Sequence, residues 1–167
     1  MQYISSDTNV WIDFYVISKL DLPFRLPYAY IMYEESIDGE LLNPPNLSFD
    51  LKEAGLIGVE ITAEEFFLAD SWGNVYKKLS TPDRIALAIA KTRNIVLLTG
   101  DRALRNAAKN EGVSVIGTIG LLDQLYEKDL IDEKEAVACF TALLDHNGRD
   151  VRLPEEVLRE RIERFKS

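Results

Sequence analysis

Four acidic side chains stand where a chain of alternating strands and helices would gather them. Asp7 follows the short apolar segment 3–6, and Asp101 follows the apolar run 95–99 and one glycine. Asp83 lies in the first turn of a helix announced by Ser80-Thr81-Pro82, and Glu40 sits one turn beyond Ile37 in a short helical stretch. In open α/β sheets the reactive crevice lies at the carboxyl ends of the strands, where strand order reverses. Two unit charges 4 Å apart cost roughly 4 kcal/mol at an effective dielectric near 20. Several carboxylates gathered there must therefore protonate, spread apart or hold a divalent cation. The chain has one histidine, His146, and one cysteine, Cys139, so the donors are hard oxygens, which select Mg²⁺ or Mn²⁺. Such an ion activates water and stabilises a departing oxygen, and in-line phosphodiester cleavage is the reaction this set suits best.

Each acid also has a plainer reading. Asp83 is what a helix macrodipole favours in a first turn, and Asp7 and Asp101 can each cap the helix that follows. Glu40 has Glu34, Glu35 and Asp38 as neighbours, any of which can be the inward acid.

The elements that must position these groups follow from periodicity. Residues 3–6 read as a strand, and 8–20 as a helix with Val10, Trp11, Phe14, Ile17 and Leu20 on one face. Residues 28–33 form a second strand, 34–42 a short helix stopped by Pro44-Pro45, 51–56 a helix and 57–61 a third strand. Thr62 with Glu65 is a capping box, opening a helix whose Phe66, Phe67 and Trp72 are expected in the core rather than as base-stacking platforms. A helix over 81–93, a doubly buried strand over 95–99, a helix over 102–111 and a strand over 113–116 complete an α/β alternation. Helices over 120–128, 133–145 and 155–165 follow. Val137, Phe140, Leu143 and Leu144 give the middle one an apolar stripe, suited to a sheet edge or an interface, and Cys139 reads as a small core residue. His146-Asn147-Gly148 reads as a helix end.

The 167 residues are enough for one domain without staples, and the lone cysteine excludes an intramolecular disulfide and the usual zinc sites. No apolar run reaches membrane-helix length, and Met1 leads directly into patterned sequence, so a cytoplasmic protein without membrane association is expected. The net charge of −9 argues mildly against nucleic acid as a partner. Its distribution argues the other way, because residues 77–110 hold eight basic and two acidic side chains.

The segments Ser6-Asp7-Thr8-Asn9-Val10, 80–90 (STPDRIALAIA) and Leu97-Leu98-Thr99-Gly100-Asp101 resemble the PIN-domain nucleases, in that family's order and spacing. The resemblance covers residues 3–117. It implies a three-layer α/β/α sandwich with a five-stranded, mostly parallel sheet ordered 3-2-1-4-5. It also implies a Mg²⁺- or Mn²⁺-dependent endoribonuclease site in which Asp7, Glu40, Asp83 and Asp101 hold the metal and carry catalysis, with Glu40-Leu41 the loosest match. Thr8, Asn9 and Thr99 would orient ligands or water. Residues 1–120 would form the nuclease core and 121–167 a helical extension packed on it. Family members include toxins of toxin–antitoxin pairs, which makes RNA the expected substrate, with an antitoxin protein and a homodimer as possible partners. Members with degraded sites leave a silent RNA- or protein-binding module as the alternative. A phosphatase or phospho-receiver with Asp7 as nucleophile fits less well, since Asn9 stands where such a phosphatase wants a second Asp.

Overall fold

The computed structural model describes residues 1–41 and 44–166. Leu42, where the short second helix was expected to end, lies outside the described residues.

Five strands form one parallel sheet: β1 (Gln2–Ser6), β2 (Tyr28–Tyr33), β3 (Ile57–Val59), β4 (Val96–Leu98) and β5 (Val115–Ile116), in the order β3-β2-β1-β4-β5. The register sets Ile4 beside both Tyr30 and Val96, so β1 is the central strand and is covered on both faces. Connections run outward from β1 in both directions. The order therefore reverses between β1 and β4, and a crevice opens at their carboxyl ends.

Side chains alternate across the sheet and feed two cores. Ile4 and Leu98 point to one side, where they meet α1 (Thr8–Val16), α2 (Glu34–Glu40), α3 (Leu47–Ala54), α7 (Thr118–Glu127), α8 (Glu133–His146) and α9 (Glu155–Lys166). Ile31 and Leu97 point to the other, against α4 (Ala63–Ser71), α5 (Thr81–Arg93) and α6 (Arg102–Asn110). The α5 face is small and fully inward: Ala86, Leu87, Ala88, Ile89 and Ala90 are all buried, so this helix lies close against the strands. Ser5 donates a hydrogen bond to the Ala86 carbonyl oxygen at 2.8 Å, pinning β1 to α5. Each fully buried Leu or Ile contributes about 1.5–3 kcal/mol relative to exposure. The stripe on α8 closes the first core, with Phe140 and Leu143 completely buried.

Three expectations need correction. α1 stops at Val16 rather than continuing to Leu20, because the chain turns through Ser18 in a left-handed conformation and Lys19 bonds back to Phe14. The third helix starts four residues earlier than the pattern indicated and ends at Ala54 against Gly55, at φ +134. Phe66 and Phe67 are exposed at 53% and 67%, not in the core, since α4 buries Ala69 and Glu65 instead. Their two rings touch edge to face at 5.7 Å.

Candidate active site

The three aspartates arrive at the crevice by helix starts and Glu40 by a helix end. Asp7 caps α1: one carboxylate oxygen accepts from the Thr8 amide at 2.8 Å and the other from the Thr99 hydroxyl at 2.9 Å. Thr99 follows β4 and is completely buried, and its hydroxyl also accepts from the Asp101 amide at 3.1 Å. One hydroxyl thus ties the ends of β1 and β4 together across the switch point. Asp101 caps α6 through the Leu104 amide at 3.0 Å. Asp83 sits in a capping box with Ser80, each side chain accepting from the other's backbone amide, at 3.0 and 3.2 Å. Glu40 closes α2 at the exposed rim, where the nearby Thr8 hydroxyl acts to lower its pKa.

The capping roles are therefore real for all three aspartates. Capping alone does not explain the burial of Asp7. Asp7 is 3% exposed, and among the described residues no Lys, Arg or His pairs with it. Its pKa is pushed up to about 7, by burial first and then by the charges of Asp83 and Glu40, against the two hydrogen bonds it accepts. Loss of water and the Asp83 charge also raise Glu40. Burial raises Asp83, with a contribution from Asp101. Asp83 is thus the shared neighbour through which all four carboxylates feel one another.

Of the acids in α2, Glu40 is the one whose charge reaches Asp7. Glu34 turns away to an ion pair with Lys52, and Glu35 acts on Tyr33, whose pKa burial and then the Glu35 charge raise. Asp7, Thr8, Ser36, Glu40 and Pro82 line a cleft of about 10 Å³, near the size that holds one water or one small ion. Asp101 opens instead on a larger cavity of about 480 Å³ with Asn9, Asp13 and Arg102.

Among the described residues, no three acid, histidine or cysteine side chains are drawn close enough to enclose an ion. The donors nevertheless suit a hard divalent ion in type. Mg²⁺ needs no cage, because it keeps several waters and takes only one or two carboxylates.

Asp13 was not singled out in the sequence. It is 6% exposed, accepts from the Thr118 hydroxyl at 2.7 Å, and burial pushes its pKa up to about 6. Its signal was an acid set into the apolar face of α1.

A parallel sheet of order 3-2-1-4-5, reversing at a crevice that carries Asp7 and Asp101 at its strand ends, defines an acid-edged α/β/α fold. The chain belongs to the PIN-domain family: the DUF3368 family model, described as a PIN domain, matches residues 3–167. The match runs through the C-terminal helices, past the residues that carry the motifs. PIN domains are generally nucleases and generally use divalent metals. Curated proteins and solved structures give no match. No helix among the described residues is long and apolar enough to cross a membrane.

Proposed function

We propose that this chain is a divalent-metal-dependent endoribonuclease that hydrolyses RNA phosphodiester bonds. Asp7, Glu40, Asp83 and Asp101 are its catalytic and metal-holding residues, and Mg²⁺ or Mn²⁺ is its cofactor. The observation that carries this reading is Asp7: a carboxylate 3% exposed, set among acids, with no cationic side chain paired to it among the described residues. Burying a charge costs several kcal/mol unless something offsets it, and a bound cation is the natural offset here.

When bound, the ion supplies Lewis-acid stabilisation of the phosphoryl oxygens and a more acidic water. The rest falls to the protein. Thr99 and the Thr8 amide fix the Asp7 carboxylate, so it cannot rotate away as charge changes around it. Asp83 and Asp101 are immobilised by their own helix starts, which keeps the donors on rigid elements. Glu40 stands at the rim beside Thr8, where that carboxylate is suited to accept a proton from the attacking water. Hydrolysis forms one bond from water oxygen to phosphorus and breaks one from phosphorus to the leaving ribose oxygen, which takes up a proton.

Purified protein should cleave single-stranded RNA with Mn²⁺ or Mg²⁺ and lose that activity in Asp7→Asn and Asp101→Asn variants that still fold. Equal cleavage by wild type and variants would contradict the assignment. A toxin role within a toxin–antitoxin pair, a cytoplasmic setting and a homodimer accompany this reading, as does a nuclease core over 1–120 with a helical extension over 121–167. The silent binding module is the second reading, favoured by the absence of a closed ligand cage among the described residues.

A further inference from the structure

The cations of this acidic molecule divide into two sets. On several faces they are matched: Arg93 with Glu65 at 2.8 Å, Lys91 with Glu111 at 2.6 Å, and Arg161 with Asp123 at 2.8 Å. On α6 they are not. Arg102, Arg105 and Lys109 are exposed and make no ion pair among the described residues. Their spacing puts all three on one helical face, a row about 10 Å long.

A fourth unmatched cation faces this row from the other end of the chain. Arg152 lies in the loop between α8 and α9, and that loop is locked. The Asn147 side chain donates to the Leu153 carbonyl oxygen at 2.9 Å and accepts from the Leu153 amide at 2.8 Å. Gly148 bonds Val151 at 2.8 Å, and the Val151 side chain is completely buried. Arg152 and α6 together line a groove of about 850 Å³. That groove shares Gly100, Arg102 and Arg152 with the 480 Å³ cavity on which Asp101 opens. Asp150 also lines that smaller cavity, but it is turned toward His146, at 3.4 Å.

Four unmatched cations around one groove, continuous with the acids, repel one another unless a polyanion lies between them. We propose that this groove is the track for the phosphodiester backbone of a nucleic-acid strand, with α6 as one wall and Arg152 as the positioning residue on the other. The proposal rests on the nuclease reading and gives the C-terminal segment a part in substrate binding. Phosphate contacts of this kind fix register without reading bases.

The test is fluorescence anisotropy with a short labelled single strand, as RNA and as DNA, in EDTA so that no cleavage occurs. Arg105→Gln/Lys109→Gln should weaken binding about tenfold or more, and Arg152→Gln severalfold. Removing one phosphate-binding cation should flatten the slope of log affinity against log salt by about 0.7. Arg152→Lys should restore most of the binding, and Arg152→Gln should raise KM for cleavage while leaving kcat unchanged. Lys128→Gln/Lys134→Gln, a charge change on an exposed surface outside the groove, serves as the control. All these side chains are exposed, so melting temperatures should not move. Tighter binding of RNA than DNA would identify RNA as the strand, and equal binding would identify the shared backbone as the ligand. Groove variants that bind like wild type, or a control that weakens binding equally, would overturn the track even if cleavage is intact. If no metal supports cleavage yet the groove variants still lose binding, the track stands and the nuclease reading falls.

Discussion

Two buried carboxylates, one at the carboxyl edge of the sheet and one on α4, show what burial means when a partner is or is not supplied. Glu65 on α4 is 2% exposed, and burial alone would raise its pKa. Hydrogen bonds from Arg93, the Thr62 amide and Thr92, with the Arg93 charge, outweigh burial and hold it down at about 2. Asp7 is buried to a similar degree and receives two hydrogen bonds but, among the described residues, no cationic side chain, and its pKa goes up to about 7. The first acid is structural and already neutralised by the fold. The second stands at the carboxyl edge of the strands, where open α/β sheets admit ligands.

The sharpest way to break this contrast is mutation of each acid. Asp7→Asn should abolish metal-dependent cleavage in the RNA assay, a loss of at least a hundredfold, while circular dichroism and melting show an intact fold. Glu65→Gln should do the reverse: activity per folded molecule unchanged, stability lower by about 2–3 kcal/mol in denaturant titration at neutral pH. Loss of activity in both variants would erase the distinction.

The next test is pH. Asp7 and Asp13 have native pKa values of about 7 and about 6, both above the ordinary 3.8, so the native state keeps protons that the unfolded chain has released. Their contribution to stability is greatest below pH 4 and is lost as pH rises through 6 and 7. Glu65 has the opposite sign: its stabilisation is present above 4.5 and is lost as pH falls toward 2. Metal-free protein should therefore be most stable near pH 4 and lose stability steadily toward pH 8. Asp13→Asn should flatten that decline, by up to about 3 kcal/mol at pH 8. Melting scans across pH check this, and a metal-free melting temperature that climbs from pH 5 to 8 would contradict it.

A divalent ion should offset the same decline. Mn²⁺ at a hundredfold over its dissociation constant should stabilise by about 2.7 kcal/mol at pH 8, and by less at pH 5, where Asp7 is protonated. The smallest effect is expected at Phe66 and Phe67. Replacing either with Ser should change stability by about 0.5 kcal/mol or less, since neither ring is in the core.

Much of this was legible in the residues. The apolar runs fall on the strands, and their order follows from the α/β alternation with the family resemblance. The box at Thr62 was readable because a hydroxyl and an acid three residues apart leave a local signature, and the helix start at Ser80 because a hydroxyl cap is followed by a first-turn proline. The Phe66 and Phe67 error arose where local hydrophobicity competed with a long-range contact: Glu65 turns inward because Arg93, 28 residues on, awaits it. Likewise, the left-handed Ser18 that stops α1 is not signalled by any glycine or proline at that position. At the site, the three aspartates were candidates from their places at strand ends and in a first helical turn, and Glu40 from the family resemblance, but the Thr99 bridge joins residues 92 apart. The Asp13–Thr118 bond and the locked loop presenting Arg152 are likewise products of the folded chain.

Calorimetric titration of the metal-free protein with Mn²⁺, beside Asp83→Asn, tests the central claim most directly, because Asp83 is the neighbour shared by the other acids. Saturable binding by wild type, weakened at least tenfold in the variant, is the predicted result. A normally folded wild type that takes up no Mn²⁺ at millimolar concentration, or a variant that binds it equally well, would contradict the account.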